Sequence, residues 1–482
     1  VDEANLKVSN TPTNGYVLTA QSGNTGGMTW AEAADTGVET HLTATSNIGL
    51  GVGAVDSITT GDYNVGLGDS SGTAITSGDR NTGIGVFSID AINTGSSNTG
   101  LGYAAGGGIT TASNNTAVGS QALQLTTTGA SNTAVGTLAL LSNTTGVNNT
   151  AVGYESLNAN TTAGYNVAVG YRAAYSNTTG TGNNAFGYQA LQYNTTGEQN
   201  SSVGTNSLRY NTTGDSNTAV GRDALHTNTT ADNNTAVGYY ALRLNTTGSS
   251  NTASGNYALY SNTTGGQNVA LGESALQNNT TASGGTALGW ASLWSNTTGA
   301  NNAAVGHSAL EVNTTGGQNT AIGDHALNTN TTGSYNAGLS RYALFANTTG
   351  GNNTAIGHQS LAANTTASNN VAVGYQSLYT NTTGSPNVAV GRNALTANTT
   401  AANNVAVGDR ALAANTTGAD NVAVGTNALY NNLTGANNAA VGRDSLFANT
   451  TGAANTAVGY YALKANTTGT RNTAVGSYSL DA

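Results

Sequence analysis

The chain has 482 residues, of which 66 are glycine, while charged residues make up only 7% and aromatic residues 6%. Large apolar side chains are too sparse for two or three conventional globular domains, and the low charge with only two prolines is untypical of disordered chains. The net charge is −10, with −6 in residues 1–62 and −4 in the other 420 residues, which have no basic stripe to follow a phosphate backbone, so we expect no nucleic-acid partner.

Two further kinds of feature are missing from the sequence. There are no cysteines, so neither a disulfide framework nor a thiolate metal site is expected. No apolar run approaches the roughly 18 residues that cross a bilayer, so we expect no membrane insertion.

Residues 1–46 differ from the rest of the chain and are predicted to form a small β module. Turn signals at Asn14 and Gly15, and again at Gly26 and Gly27, would join two or three short strands. Trp30 would anchor a miniature core. We expect this module to cap the repeat region, or to serve as an attachment or junction element.

From about Gly51 to the C-terminus, glycine recurs at every seventeenth position without insertion or deletion. Gly119, Gly136 and Gly153 illustrate the spacing, and Ser340 is the one break in this column of the sequence. The consensus of the unit is NTAVGxxALxxNTTGxx. A strict period of this kind is the signature of a repeat architecture, so residues 47–482 are predicted to form one repeat domain.

Seventeen residues are too few for a helical repeat unit, which needs about 30 or more, and Asn, Thr and Gly are poor helix formers. Two short strands joined by two turns fit instead, the first over NTAV and the second from the AL pair to NTT. Alternation would send the second and fourth residues of NTAV to one face. Since residues 166–169 (NVAV) place Val at both, we expect that face to be interior, with both glycines at positive φ.

Stacking such coils puts each residue beside its equivalent in the next coil, so every position becomes a ladder of like residues. The fold class is therefore predicted as an all-β, parallel β-solenoid or β-roll of about 25 coils, roughly 120 Å long at a strand spacing of about 4.8 Å. Stability would come from contacts between coils. The asparagine columns are expected to form amide ladders that satisfy polar groups near the turns.

The strand motif resembles two known repeat families. Residues 166–170 and 370–374 (NVAVG) are similar to the NxVAIG repeats of trimeric autotransporter adhesin heads, which are homotrimeric β-rolls. The longer NTAVGxxALxxNTTG unit resembles shaft repeats of bacteriophage tail fibres, over most of the chain. Residues 6–30, with an NGxxL…GGxxW pattern, are similar to the module that precedes shafts in cyanophage-like fibre proteins. The resemblance implies a homotrimer.

The column after each glycine is variable and polar, so we expect it to face solvent. In it, Arg392 and Asp409 would form a weak surface pair. His307 would lie beside Asp324, with His358 further along, but we expect a solvated ladder and no metal site or other cofactor. No histidine stands in a nucleophile motif, so no catalytic residue and no enzyme activity are expected.

The NTT column contains in-register NxT sequons, which would be acceptors for N-linked sugar in a glycosylating host. Elsewhere the same residues would serve turns and ladders alone. The threonines also suggest ice-binding solenoids, but adjacent Thr residues point to opposite faces, which argues against that function. The first eight candidate glycosylation sites are Asn143, Asn160, Asn177, Asn194, Asn211, Asn228, Asn245 and Asn262.

Tyrosines recur two residues after the glycine, and exposed aromatic residues suit either sugar binding or packing between chains. The sequence thus favours a structural fibre shaft of a virion, a rigid spacer and adhesion rod that recognises a host-surface glycan or protein receptor. The alternative is a cell-surface adhesin or an extracellular filament subunit that polymerises through end-to-end contacts. The tyrosines are Tyr240, Tyr257, Tyr342, Tyr461 and Tyr478.

Overall fold

A computed structural model describes residues 16–20, 28–32, 40–42 and 46–481; for the first three of these segments it describes the backbone only. The chain divides into two compact units, Val1–Thr179 and Gly180–Ala482. The fold is an all-β parallel solenoid of about 25 turns, each about seventeen residues long, and the described part of the chain contains no helix. The predicted fold class is confirmed at this level.

The first unit contains eleven described strands. They are β1 (Tyr16–Ala20), β2 (Met28–Glu32), β3 (Thr40–Leu42), β4 (Ile48–Leu50), β5 (Val65–Leu67), β6 (Thr82–Ile84), β7 (Thr99–Leu101), β8 (Thr116–Val118), β9 (Thr133–Val135), β10 (Thr150–Val152) and β11 (Val167–Val169). β1 pairs antiparallel with β2, and β3 pairs antiparallel with β4. From β4 to β11 each strand pairs in parallel with the next, so that Thr133 lies opposite Thr150, its equivalent in the next coil.

The second unit contains eighteen strands in the same parallel register, so that Thr218 lies opposite Thr235. They are β12 (Asn184–Phe186), β13 (Ser201–Val203), β14 (Thr218–Val220), β15 (Thr235–Val237), β16 (Thr252–Ser254), β17 (Val269–Leu271), β18 (Thr286–Leu288), β19 (Ala303–Val305), β20 (Thr320–Ile322), β21 (Ala337–Leu339), β22 (Thr354–Ile356), β23 (Val371–Val373), β24 (Asn387–Val390), β25 (Asn404–Val407), β26 (Val422–Val424), β27 (Ala439–Val441), β28 (Thr456–Val458) and β29 (Thr473–Val475).

The predicted N-terminal module is described only through its strands. The expected turns at residues 14–15 and 26–27, and the side chain of Trp30, lie outside the described residues. In the backbone, residue 18 of β1 lies opposite residue 30 of β2. Its role as a cap, attachment or junction element stays a prediction.

The interior of each coil is narrow and is filled by five side chains. In the coil that begins at β9 these are Asn132, Ala134, Ala139, Leu140 and Asn143, all fully buried. One leucine and two alanines give each coil little apolar surface to bury, about 1.5–3 kcal/mol for the leucine. A single coil therefore cannot be stable alone, and the array depends on contacts between coils.

The prediction that valine faces the interior is wrong. The middle alanine of each strand is buried, as Ala134 and Ala219 show, while Val135 and Val220 remain 36% and 37% exposed. In an alternating strand the alanine shares its side with the asparagine two residues earlier. Because that asparagine must reach backbone groups inside the coil, alanine goes in and valine goes out.

The predicted second strand is also wrong. The segment after each glycine is a pair of tight turns, closed by Ala139 N donating to Gly136 O at 3.3 Å and Asn143 N donating to Leu140 O at 3.4 Å. Leu138 and Leu140 have φ of 59° and 54°, where an extended strand needs strongly negative φ. The segment still bonds the next coil, since Leu140 N donates to Ser156 O at 2.9 Å.

Two asparagine ladders run inside the solenoid, as predicted. Asn251 donates its backbone N and Nδ2 to Asn234 Oδ1 at 3.0 and 3.1 Å, and Nδ2 also to Gly265 O at 2.9 Å. Its own Oδ1 accepts two bonds from Asn268. In the second ladder, Asn228 Nδ2 donates to Asn211 Oδ1 at 2.8 Å. Each amide thus satisfies groups on two neighbouring coils.

The earliest coils keep the first ladder, as Asn64 donating to Asn47 Oδ1 at 3.1 Å shows, but carry isoleucine where later coils have the asparagine of the second. Ile75, Ile89, Ile92 and Ile109 form a buried cluster, and the strands beside them carry glycine where later strands carry alanine. A Cβ on Gly100 would lie 2.7 Å from Ile89 Cγ2. The larger isoleucine therefore requires the smaller strand residue.

The glycine that ends each strand has two reasons to be glycine. Gly238 has φ of 132°, and a Cβ there would lie 2.6 Å from Gly255 O in the next coil. The glycine of NTTG is not required for its backbone angle, because Gly146 does not have a positive φ. The prediction of positive φ for this second glycine is wrong. Its requirement is space alone, since a Cβ would lie 2.3 Å from Ala163 O.

Ser340 is the exception in the first column, and we expect Ser340→Gly to stabilise the protein. Ser340 has φ of 115°, a region that L residues rarely adopt and that costs about 1–3 kcal/mol. Glycine loses about 0.5–1 kcal/mol more backbone entropy on folding, so the net gain is about 1 kcal/mol. Hydrogen exchange of the amides in the coils next to residue 340 measures it, because exchange reports the stability of local segments.

The matched control is the reverse change in the next coil. Gly357 has φ of 130°, so Gly357→Ser introduces the strain that Ser340→Gly removes, and it also brings a Cβ to 2.6 Å from Gly374 O. Hydrogen exchange in its neighbouring coils should therefore become faster. Faster exchange for Ser340→Gly would show that the serine stabilises its coil in a way that outweighs its backbone strain.

Candidate functional site

The outward side of the strands, which we call the strand face, consists of the first and third residues of the three-residue strands in β4–β11 and in β12–β29. β24 and β25 begin one residue earlier, so their second and fourth residues hold the same two positions. The third position is aliphatic or aromatic in every strand except β16, where it is Ser254. These side chains are about 40% exposed at most of the exposed positions, and in the second unit the exposed members are Phe186, Val203, Val220, Val237, Leu271, Ile322, Ile356, Val407, Val424, Val441, Val458 and Val475.

The first position adds a column beside the aliphatic one that is threonine, valine or alanine except at Ile48, Asn184 and Ser201. None of the strands β4–β29 contains a charged residue. One inward-facing residue separates the two outward columns. Ice-binding solenoids place threonine in both such columns, whereas here the third position is aliphatic. An uncharged apolar face of this extent is typical of an interaction surface, because soluble monomers rarely expose contiguous apolar patches above a few hundred Å².

The turn segments form a second surface, the turn face, which carries the aromatic and charged side chains. Like residues stack in successive coils there, as Tyr193 does on Tyr210 with ring centroids 5.2 Å apart, and Tyr430 on Phe447 at 5.4 Å. The five predicted tyrosines have left-handed φ between 56° and 59°. All five pack edge-on or tilted against rings of neighbouring coils or turns.

A shallow groove of about 500 Å³ lies on the turn face of the second unit. Tyr342, Phe345 and Tyr379 line it with aromatic rings, and Gln359 adds an amide. Tyr342 and Phe345 meet edge to face, with centroids 5.3 Å apart. Rigid rings next to a hydrogen-bonding amide are suited to a ligand with one apolar face and polar edges.

The column after each glycine faces solvent for most of its length, as predicted. Arg392 donates to both carboxylate oxygens of Asp409, at 2.8 and 3.1 Å. These hydrogen bonds hold the pKa of Asp409 below its ordinary value. The pair is exposed, so its contribution to stability is expected to be small.

The structure brings His307 and Asp324 together but places His358 elsewhere. His307 Nδ1 lies 3.3 Å from Asp324 Oδ1, whereas His358 stacks on Tyr375. Sequence reasoning missed a third group, His325, whose Nδ1 lies 2.8 Å from the same oxygen. The sequence offered one signal for it, because His325 directly follows Asp324 and lies in a second column that faces outward.

Asp324 is held by groups from three coils. Arg341 Nε donates to Oδ2 at 3.1 Å, which leaves Oδ1 to the two histidines. Partial burial acts to raise the pKa of Asp324, but the hydrogen bonds from His325 and Arg341 outweigh it and lower the pKa below its ordinary value. The carboxyl group is therefore ionised at neutral pH.

The eight candidate glycosylation sites lie inside the solenoid. Their asparagine side chains are fully buried. Their amide nitrogens donate to backbone carbonyls or to the asparagine of a neighbouring coil, as Asn160 does to Ala163 O at 3.0 Å and Asn177 to Asn160 Oδ1 at 3.1 Å. A sugar on these atoms is incompatible with this packing.

No protein-family model, curated protein or solved structure matches this chain. The resemblance to fibre shafts and adhesin heads therefore rests on the sequence motif. Within the described residues there is no helix with the length and apolar character needed to span a membrane. The absence of a catalytic centre stays a prediction.

Proposed function

We propose that this chain is the structural shaft of a fibre, in which three copies pack along their strand faces. The uncharged apolar strand face carries this proposal. Its aliphatic column is exposed in one chain and recurs with a single polar exception. Burying it between identical chains removes apolar surface from water at about 25 cal/mol per Å².

The extent of the face is sufficient for a stable assembly. The second unit alone has eighteen strands, which at about 4.8 Å per strand give a column about 80 Å long. If the two outward columns present a stripe about 10 Å wide, the buried area is about 800 Å² per chain, the size of a standard specific interface.

A closed trimer uses one identical face from each chain. Rotational symmetry brings equivalent residues together around the axis, so valine meets valine and threonine meets threonine at every level. The turn face, with its ion pairs and stacked rings, is then left in water. This division agrees with where charge occurs in the sequence, because strands β4–β29 have none.

The turn face supports an adhesive role for the same fibre. The groove lined by Tyr342, Phe345, Tyr379 and Gln359 presents rings and an amide to solvent, a combination that suits a sugar ring of a host-surface glycan. A cell-surface adhesin would use the same geometry. The two functions differ in where the fibre is anchored, on a virion or on a cell.

The molar mass in solution tests the assembly. Light scattering on the purified protein should give three times the mass of one chain, which is 47.7 kDa. A concentration-independent mass of 47.7 kDa would contradict the trimer and would leave the strand face open to solvent.

A further inference from the structure

Three side chains from two adjacent coils converge on the turn face of the second unit. His307 comes from one coil, and Asp324 and His325 come from the next. Their ligating atoms, one from each residue, all lie within 4.8 Å of one another. Both imidazoles direct Nδ1 at the same carboxylate oxygen, at 3.3 and 2.8 Å.

These separations are close to those around a small metal ion, the His307 distance of 3.3 Å most nearly and the His325 distance of 2.8 Å being shorter. Zinc bonds imidazole nitrogen and carboxylate oxygen at about 2.0–2.2 Å, so two ligands of a tetrahedral ion lie about 3.3–3.5 Å apart. An ion among the three atoms would replace the present contact between His325 Nδ1 and Asp324 Oδ1. Only small side-chain shifts are needed, with each imidazole neutral and its proton on Nε2.

The surroundings orient the three groups. Trp290 stacks on His307, with centroids 4.9 Å apart and planes 14° apart. His325 packs against Tyr342 at 5.4 Å. Arg341 holds the second carboxylate oxygen at 3.1 Å, which turns the first toward the histidines. Outer contacts of this kind fix the orientation of metal ligands, although the positive charge of Arg341 opposes the bound cation.

We propose that His307, Asp324 and His325 form a binding site for a divalent transition-metal ion, with zinc as the expected occupant. Two imidazoles and one carboxylate favour zinc or its neighbours over calcium or magnesium, which prefer oxygen ligands. The side chain of His307 is 52% exposed, so a fourth position is open to water or to an external ligand. This site is independent of the trimer, because it lies on the turn face.

Isothermal titration of the full, tag-free chain with zinc chloride tests the proposal. We expect one zinc ion per chain. His307→Asn, His325→Asn and Asp324→Asn should each weaken binding at least about 10-fold, the lower end of the loss seen even for outer-shell changes. Asparagine suits these positions because Asn256 and Asn393 occupy the equivalent columns in other coils, Asn393 with φ of 56°.

His358→Asn is the matched control, since His358 shares the column of His307 but lies outside the group of three. It should leave zinc affinity unchanged. With cobalt as the probe, the wild type should show a visible absorption band that His307→Asn abolishes. The proposal is overturned if zinc produces no binding heat, or if His358→Asn reduces affinity as much as His307→Asn does.

Discussion

Replacing Asn251 with leucine should destabilise its part of the array by about 3–6 kcal/mol, because it leaves one buried backbone N–H without a partner and removes three further hydrogen bonds. The change keeps the number and branching of the side-chain heavy atoms but removes its two acceptor and two donor contacts. The backbone N of Asn268 then remains buried and unpaired, which costs about 1–3 kcal/mol. The bonds from Asn268 Nδ2 and to Gly265 O, which keeps a bond from Asn262 Nδ2 at 2.9 Å, are lost at about 1 kcal/mol each. Loss of the bond to Asn234 Oδ1 adds to this.

Hydrogen exchange is the suitable measurement, because long repeat arrays do not unfold as one cooperative unit. A loss of about 3 kcal/mol corresponds to roughly 100-fold faster exchange. We expect this acceleration in the coils next to residue 251 and little change in distant coils, since each coil contacts only its neighbours.

Asn256→Ala provides the control within the same coil. Asn256 is exposed on the turn face, and surface substitutions usually change stability by less than about 0.5 kcal/mol. Equal exchange rates in the two variants would show that the buried ladder does not stabilise the solenoid, and the account of coil stacking would have to be abandoned.

Placing glutamate on the strand face should dissociate the proposed trimer. The double variant Val220→Glu with Leu271→Glu puts two charges three coils apart, where each wild-type side chain is about 40% exposed in one chain. Symmetry would bring three glutamates together at each level, and unpaired like charges in an interface cost several kcal/mol. The mass by light scattering should fall from that of three chains to the 47.7 kDa of one.

The control carries the same charge on another surface. Thr213 and Thr264 are exposed members of the NTT column, also three coils apart. Thr213→Glu with Thr264→Glu should keep the trimer mass. If both double variants stay trimeric, the chains associate through some other surface than the strand face.

Much of the architecture could be predicted from periodicity. A strict spacing of seventeen positions from Gly51 to Gly476 leaves little choice but stacked coils, because an inserted residue would break every ladder. The amide ladders followed from the same reasoning, and Asn251 and Asn268 confirm it. The positive φ of the glycine that ends each strand was also predictable, because glycine has no side chain and adopts such φ values easily.

The direction of the strand could not be predicted in the same way. A three-residue strand can bury either its middle residue or its two outer residues. Hydrophobicity alone favours Val220 inside and Ala219 outside. The structure has the opposite arrangement. Local propensity could not show that the interior is only wide enough for alanine beside the asparagine amides. That reversal also creates the apolar strand face on which the proposed assembly depends.

The sequence by itself determined the repeat length, the parallel stacking and the neighbours along each column, because these depend only on spacing. The tertiary structure alone decided which columns are buried, where the turn segment departs from a strand, and which residues of different columns meet. For that reason only the structure shows that His325 lies beside Asp324 together with His307. Spacing orders residues along one column, whereas the path of the backbone through each turn sets the distances between columns.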